Sequence, residues 1–264
     1  MSAAAPDIRE AHRCCGKLYL QRHEGVVLIM RKSLKSKIIF GVLTVCVLAW
    51  SSLASQAQKR TPVFAADKGK FTIQLDGQTV GHEEFEISPA SAGWSAHGTT
   101  ELKAPDYPAA RVTGVLTLQP DGAPISYEWT SQAEKTNGAR IVFANGVAKI
   151  TLQMQGARPF EQDMTFGTPL IAVLDNNLYY QYGVLARLYD WSKRGAQNLP
   201  VLIPQELTPG SVSVESTGPV TSKGKSYDGL RVTTSDLEVL LFLDSNHRLM
   251  RLEVPSAKVS VERD

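Results

Sequence analysis

Cysteine is nearly absent from this chain, and the few cysteines lie close to its start. The 264 residues contain three cysteines, Cys14, Cys15 and Cys46, and none follows position 46. A domain formed by the later part of the chain therefore has no disulfide and no thiolate ligand for a metal. We expect a hydrophobic core to stabilise it instead, since a domain of about 200 residues buries roughly 70% of its unfolded surface.

Histidine and recognisable catalytic motifs are also scarce. Only His82, His97 and His247 follow the first 57 residues, and His82 lacks the second histidine, four positions on, that a helical zinc site requires. The segment Gly218–Ser226 resembles a phosphate-binding loop, but five residues instead of four precede its Gly-Lys pair. The sequence predicts no catalytic, metal-binding or cofactor-binding residue, so we expect a protein that is not an enzyme. The alternative is a hydrolase whose site is assembled only by the fold.

Clusters of basic residues are missing as well. The whole chain has 28 basic and 26 acidic residues, but the first 57 residues hold eight of the former and three of the latter. The remaining part has a net charge of −3, which argues against nucleic-acid binding, since that function needs a basic face. Glu161 and Asp163 alternate along a predicted strand. We interpret them as its solvated outward face, although paired carboxylates are also found in glycosidases.

The longest apolar run lies near the N-terminus and resembles a secretory signal. Met30 is followed by basic residues, then by the apolar run Ile38–Trp50, and then by small residues that end at Ala57. We predict cleavage after Ala57 and export to the periplasm or the cell exterior. The alternative is an uncleaved segment, Ile38–Ala54, that anchors the protein in the inner membrane, because about 17 apolar residues are the lower limit for a spanning helix.

These boundaries predict how the chain is organised. Residues 1–29 are interpreted as an over-long start, with Met30 the true initiator, or as a disordered segment. The signal peptide would occupy residues 30–57 and a linker residues 58–67. A single β-rich domain would then occupy residues 68–264, and the membrane would be contacted only through an uncleaved signal.

Two hairpins are predicted from Asx-Gly turns between alternating apolar and polar residues. Around Asp76-Gly77, Leu75 pairs with Gln78, Ile73 with Val80 and Phe71 with His82, and a bulge near Gly81 restores the alternation further on. Around Asn145-Gly146, the pairs are Phe143–Ala148, Ile141–Ile150 and Ala139–Leu152. The residues predicted on the dry face of the sheet are Phe71, Ile73, Val80, Ile141, Phe143, Ile150 and Leu152.

Further strands are predicted between turn signals, and one segment breaks the β pattern. The predicted strands are 94–103, 111–118, 125–132, 158–165, 199–203, 211–216, 227–234, 237–243 and 249–254. The segment Asn176–Trp191 has apolar residues at helical spacing and predicts a helix of about four turns, with Asp175 as N-cap and Gln181 on its outer face. The predicted fold is mainly β: a curved antiparallel sheet or half-barrel wrapped around one long α-helix.

Two blocks of this sequence resemble a known group of proteins. GKFTIQLDGQTVGHEEFEI (69–87) and VLDNNLYYQYGVLARLYDW (173–191), followed by VLIPQ, look like a family of uncharacterised exported bacterial β-proteins. Over about residues 68–255 the layout also resembles the half-barrel-plus-helix fold of the lipoprotein-carrier superfamily, which binds acyl chains in its concave sheet. The resemblance implies a binding protein for an apolar or lipid-like ligand, or for an envelope partner protein.

The candidate ligand-pocket residues come from the apolar and aromatic side chains of the predicted helix. Such residues line ligand pockets, with their hydroxyls at the mouth, but they also attach a helix to a sheet. The candidates are Leu178, Tyr179, Tyr182, Leu185, Tyr189 and Trp191.

Overall fold

The computed structural model describes residues 64–103, 109–193 and 195–264. Within these ranges the chain forms fifteen β-strands, one α-helix and two short 3₁₀ turns. The predicted signal, its cut site and most of the predicted linker lie outside them, so export and the domain boundaries remain predictions. No helix in these ranges is long and apolar enough to cross a membrane.

The predicted strands are present, most of them to within a few residues, but the strand predicted at 211–216 extends over Thr208–Ser222 and two further strands, β9 and β15, are present. The strands are β1 (Asp67–Leu75), β2 (Gln78–Ala90), β3 (Gly93–Leu102), β4 (Ala110–Leu118), β5 (Pro124–Gln132), β6 (Thr136–Ala144), β7 (Val147–Met154), β8 (Phe160–Thr165), β9 (Ala172–Val173), β10 (Gln197–Ile203), β11 (Thr208–Ser222), β12 (Lys225–Thr233), β13 (Glu238–Leu243), β14 (Leu249–Val254) and β15 (Val259–Arg263). The helix α1 is Tyr180–Leu188, and the 3₁₀ turns are Pro204–Glu206 and Pro255–Ala257.

All fifteen strands belong to one curved, open sheet. Its order is β8-β7-β6-β5-β4-β3-β2-β1-β15-β14-β13-β12-β11-β10-β9, so the first and last strands pair in the middle and two meanders run outward from them. Every pairing is antiparallel except that of β9 with β10. The helix follows β9 in the chain and packs near β3, β9 and β14. The predicted fold class, mainly β with a curved sheet around a helix, is confirmed.

The second hairpin has the predicted register, and the first differs from the prediction by one residue. Around Asn145 and Gly146, both with positive φ, all three predicted pairs are present. In the first hairpin Leu75 pairs with Gln78 as predicted, but the bulge lies closer to the turn. Ile73 therefore pairs with Gly81, and Phe71 pairs with a buried glutamate, Glu83, so the pairings with Val80 and His82 are wrong.

Glycine explains where this bulge lies. A Cβ atom on Gly81 would come 2.2 Å from the carbonyl oxygen of Glu101 on the neighbouring strand, so only glycine fits there. The side-chain alternation is continuous from this point along β2. It places Gly81, Glu83, Phe85 and Ile87 on the same inner face, and the last three of them are buried.

The predicted dry face is on the inner side of the sheet. Phe71, Ile73, Ile141 and Ile150 are buried in the core. The other three predicted members, Val80, Phe143 and Leu152, are partly buried and pack against that core.

The helix is shorter than predicted and has no solvent-facing side. It has nine residues, and Asp175 does not cap it; Tyr179 occupies the N-cap position, and Asn177 has a positive φ that interrupts any earlier helical turn. Gln181, predicted on the outer face, is fully buried, so that prediction is wrong. An amphipathic pattern assumes one wet face, whereas this helix has sheet residues or loops on all sides.

Candidate functional site beside the helix

The start of α1 lies in a notch on the inner face of the sheet. Gly98 of β3 and Gly114 of β4 are paired across their strands. A Cβ atom on Gly98 would lie 2.4 Å from the ring of Tyr180, and one on Gly114 would lie 2.6 Å from Leu178. The two glycines therefore allow the chain around the helix N-terminus to approach the sheet backbone directly.

A carboxylate from the sheet caps this helix end. Glu83 of β2 has no exposed surface, and its two oxygens accept hydrogen bonds from the backbone amides of Tyr179 (2.7 Å) and Tyr180 (3.0 Å). The first amides of a helix are not bonded within it, so oxygens from outside the helix satisfy them. Glu83 thus performs the capping role that the sequence had assigned to Asp175.

Asp175 instead organises the loop that leads into the helix. Its carboxylate accepts hydrogen bonds from the hydroxyl of Tyr127 (2.8 Å) and from the backbone amides of Asn176 (3.1 Å) and Gln205 (3.0 Å). Its own backbone amide donates to Oε1 of Gln181 (2.5 Å). The fully buried amide of Gln181 is therefore part of this polar network, which fixes the loop to β5 and to the Pro204–Glu206 turn.

Burial sets the protonation of these acids. Removal from water raises the pKa of Glu83 to about 8 and that of Asp175 to about 7, although the amides that bind each carboxylate oppose the rise. Thr100 of β3 pairs with Glu83, and its hydroxyl also lowers the pKa of Glu83. The contact between this hydroxyl and the carboxyl group does not have the geometry of an ordinary hydrogen bond. Burial likewise raises the pKa of Tyr127 and of Tyr180, so both hydroxyls stay protonated. Two carboxyl groups near the helix start therefore titrate around neutral pH.

A cleft opens beside this network, between the loop before the helix, the helix itself and the strands of the second meander. Most of its lining is apolar, and its polar atoms belong mainly to the loop residues Asp175–Asn177. Its volume is about 50 Å³, against about 300–1,000 Å³ for a pocket that encloses a whole small molecule. The lining residues are Leu174, Asp175, Asn176, Asn177, Tyr179, Tyr182, Ile203, Val212, Val232, Thr234, Leu237, Val239, Leu252 and Val254.

Two of the six predicted pocket residues, Tyr179 and Tyr182, border this cleft. Leu178 and Leu185 are about 1% exposed and belong to the core around the helix. Whether any of the six binds a ligand remains a prediction.

Tyr189 and Trp191 lie beyond the C-terminal end of the helix. The Tyr189 hydroxyl donates to the carbonyl of Gly195 (3.1 Å), and the Trp191 indole donates to that of Ala186 (3.1 Å). The Trp191 ring also stacks on His247, with centroids 3.8 Å apart. Their contacts fix the helix end.

The three histidines lie at separate places. His82 is near Glu101 on the outer side of the first meander, His97 is exposed on β3, and His247 stacks on Trp191. In the ranges that the structure describes, no three His, Cys, Asp or Glu side chains are grouped to hold a metal ion. The segment Gly218–Ser226 spans the β11–β12 hairpin turn and is not a phosphate-binding loop before a helix.

The alternation of apolar and polar residues along β2 would have predicted that Glu83 lies on the inner face. When positions are counted back from the apolar residues Ile87 and Phe85, Glu83 and Gly81 lie on the same face. The sequence prediction counted forward from the turn and assigned the bulge one residue too late. No sequence signal indicated that Gln181 would be buried, because its neighbours come from strands far away in the chain.

Comparison with solved structures extends the fold assignment. A β-barrel-like protein of the domain of unknown function DUF1849 from Brucella abortus matches with a TM-score of 0.51 and 10% identity, over 75% of this chain and 94% of that one. A DUF1089 family protein from Pseudomonas aeruginosa matches with a TM-score of 0.43 and 9% identity, over 66% and 90%. No family model and no curated protein sequence matches. The chain therefore has the β-barrel-like fold seen in the Brucella protein, and its likeness to lipoprotein carriers remains a prediction.

Proposed function

We propose that this is an exported, non-catalytic binding protein that takes an apolar group of its ligand into the cleft beside the helix. The observation that carries the proposal is the cleft itself: an apolar concavity with polar groups in the loop Asp175–Asn177 at one side. Ligand sites typically combine these two features.

The size of the cleft limits what enters it. One water needs about 10–15 Å³ of such space, so the 50 Å³ of the cleft holds the end of an aliphatic chain or a small ring. The rest of a lipid-like ligand would lie outside, against the partly exposed lining residues Asn177, Tyr182, Thr234 and Leu237. The structure thus favours a site that grips one end of an apolar ligand over one that encloses a whole acyl chain.

The polar network beside the cleft supports binding over hydrolysis. Both carboxylate oxygens of Asp175 already accept hydrogen bonds, and Glu83 is fully buried against the helix amides. Each acid thus has a positioning role that requires no substrate. A hydrolase remains the alternative function, and no contact of the described residues favours it.

Export rests on the predicted signal. Mass spectrometry of the protein purified from periplasmic and membrane fractions would determine the N-terminus. A start at Gln58 in the soluble periplasmic fraction supports export with cleavage, whereas a start at Met30 in the membrane fraction supports the anchor. A start at Met1 would contradict the start-site prediction.

Binding can be tested with parinaric acid, a fatty acid that is itself fluorescent. The variant Leu237→Trp places an indole at the mouth of the cleft, and Val142→Trp places the same group on the outer face of β6, where Val142 is 43% exposed. We expect the first variant to weaken probe binding by at least about tenfold, or about 1.4 kcal/mol, and the second to bind as the wild type does. Equal binding by all three proteins, or none by the wild type, would contradict the proposed site.

A further inference from the structure

The strand β8 forms one open edge of the sheet. Among the strands that the structure describes, it pairs with β7 alone, over the six residues from Phe160 to Thr165. The opposite edge, β9, has only two residues, both of them buried. The longer edge therefore has a row of backbone groups that a further strand could pair with.

The hairpin register shows which backbone groups of β8 face outward. The two-residue turn at Asn145-Gly146 makes Ala144 and Val147 a hydrogen-bonded pair, and such pairs recur at every second residue of an antiparallel ladder. The odd-numbered residues of β7 therefore bond to β6, and the even-numbered ones bond to β8. The hydrogen bond from the amide of Phe166 to the carbonyl of Gly146 follows the same parity.

The same parity applies to β8. Its residues 160, 162 and 164 pair with residues 152, 150 and 148 of β7, so their amides and carbonyls are used within the sheet. The amides and carbonyls of Glu161, Asp163 and Thr165 point away from β7, toward the open edge. These groups form one side of a hydrogen-bonded ladder, and a partner strand would supply the other side.

The side chains along this edge alternate in chemistry. Glu161, Asp163 and Thr165 are exposed on the outer face. Phe160 lies on the inner face opposite Leu152. Its side chain is 46% exposed, and that of Met154 on β7 is 43% exposed. The edge thus presents acidic groups on one face and uncovered apolar side chains on the other.

Charge decides which kind of strand fits this edge. In antiparallel pairing with a second copy of β8, the registers that pair most of the strand place Glu161 opposite Asp163, or Asp163 opposite Asp163, of the other copy. Like charges directly opposite each other destabilise a strand pair. Lys149 approaches Asp163 at 4.0 Å, while the neighbour of Glu161 on β7 is Thr151. A strand with basic residues on its outer face would instead be stabilised.

We propose that β8 binds an extended segment of a partner protein by strand addition, and that this segment alternates basic and apolar residues. Main-chain hydrogen bonds to residues 161, 163 and 165 supply affinity, as in other β-augmentation complexes. Its basic side chains face Glu161 and Asp163, and its apolar ones cover Phe160. This surface is separate from the cleft, so it is a second binding site, independent of the proposed ligand function.

A short synthetic peptide of alternating lysine and valine is a suitable probe. Its binding to the folded domain is measured by fluorescence anisotropy, and amide hydrogen exchange by NMR locates it. We expect exchange at Glu161, Asp163 and Thr165 to slow by at least about tenfold in the complex. Exchange at Gln162 and Met164 should change little, because their amides are already bonded to β7.

Variants separate backbone pairing from charge. Asp163→Pro removes one outward amide at an edge position where proline is tolerated, and Asp163→Ala removes the charge but keeps that amide. The proline variant should bind the peptide less tightly than the alanine variant. The double variant Glu161→Lys/Asp163→Lys should prefer a glutamate–valine peptide. Thermal unfolding of each variant verifies that the fold is intact.

Three results would overturn the proposal. The first is equal binding of a lysine–valine peptide that is N-methylated at its lysines, because in antiparallel pairing the lysine amides are the ones that face β8. The second is binding without slowed exchange at the three outward amides, which would indicate charge attraction alone. The third is no binding of the lysine–valine peptide to the wild-type domain.

Discussion

The two ends of the helix are held by different kinds of contact. At one end backbone amides bind a buried acid, and at the other end two cations bind a buried anion. At the N-terminal end a single carboxyl group, that of Glu83, binds backbone amides and has no cation beside it in the described contacts. At the C-terminal end the carboxylate of Asp67 lies between two guanidinium groups, those of Arg187 (3.3 Å) and Arg263 (2.7 Å). The side chains of Asp67 and Arg187 are each 5% exposed, so both arrangements are buried.

The difference shows how a short helix is fixed inside a sheet. A helix of nine residues is marginal in isolation, because isolated helices need about 12–15 residues to form. Its N-terminal anchor depends on desolvated acid–amide contacts and is therefore sensitive to proton binding. Its C-terminal anchor depends on ion pairs between Asp67 of β1, Arg187 of the helix and Arg263 of β15. It is lost when either the anion or the cations are removed. Four predictions test this contrast, from the largest expected effect to the smallest.

Removal of the carboxylate at the C-terminal end should have the largest effect. Asp67→Ala leaves Arg187 and Arg263 with no anion between them, and a broken buried pair costs about 3–5 kcal/mol. Urea unfolding measures the loss. Glu128→Ala is the control, since its ion pair with Arg140 is exposed and such pairs contribute about 0–1 kcal/mol. Equal losses in the two variants would contradict the anchoring role of Asp67.

The notch at the N-terminal end should tolerate no added methyl group. In Gly98→Ala the new Cβ would lie 2.4 Å from the Tyr180 ring and 2.9 Å from Glu83, so overpacking should reduce the unfolding free energy by about 1–3 kcal/mol. Gly210→Ala is the matched control on β11, where the nearest atom would be 3.5 Å away. If Gly98→Ala is as stable as that control, the helix start does not require the notch.

Gln181→Ala should destabilise the N-terminal end through a lost partner. The substitution leaves the buried amide of Asp175 without the Gln181 oxygen that it now donates to, at a cost of about 1–3 kcal/mol. Gln153→Ala on the exposed side of β7 should change the unfolding free energy by less than about 0.5 kcal/mol. If Gln181→Ala leaves the free energy of unfolding unchanged, the sequence-based expectation that this residue faces solvent is correct.

Taken per titrating group and per pH unit, the pH dependence of stability is the smallest effect. The folded protein binds more protons than the unfolded chain between the ordinary pKa of Glu83, 4.5, and its folded value of about 8. The free energy of unfolding should therefore fall as pH rises through this window, by up to about 1.4 kcal/mol per unit from Glu83. Asp175, with a folded pKa of about 7, contributes in the same direction. The slope should fade about one pH unit below the ordinary pKa of Asp175, 3.8, and about one unit above the folded pKa of Glu83, about 8.

Glu83→Gln should flatten this profile without abolishing it, since Asp175 still titrates. Glu84→Gln, on the exposed side of the same strand, serves as the control and should keep the wild-type slope. Chemical unfolding across pH 4–9 measures all three proteins. A wild-type stability that rises with pH over this range would contradict the desolvated state of Glu83.

Local features were predictable because they depend on neighbours in the chain. The Asn145-Gly146 turn and its flanking alternation specify a two-residue hairpin, and the structure has every predicted pair. The strand bounds followed from the same alternation and from turn residues. The first hairpin shows the limit: the prediction needed a bulge, but a one-residue difference in its position reversed whether His82 or Glu83 faces the core.

The candidate site was much less predictable. Its aromatic residues were found from helical spacing, yet only Tyr179 and Tyr182 border the cleft. The strands that form the opposite wall, β11 to β14, follow the helix at a distance in the chain. Nothing local to the segment 173–191 indicates which of its faces they cover.

The sequence by itself determined the mainly β class, the hairpin turns, most strand positions and the presence of one helix. The tertiary structure alone decided that Glu83 caps a helix 97 residues away, that Gln181 is buried, and that Asp175 binds Tyr127 and Gln205. The physical reason is the distance along the chain over which each interaction acts. Alternation and turn geometry depend on adjacent residues, whereas burial and these hydrogen-bond partners arise only when distant strands close around the helix.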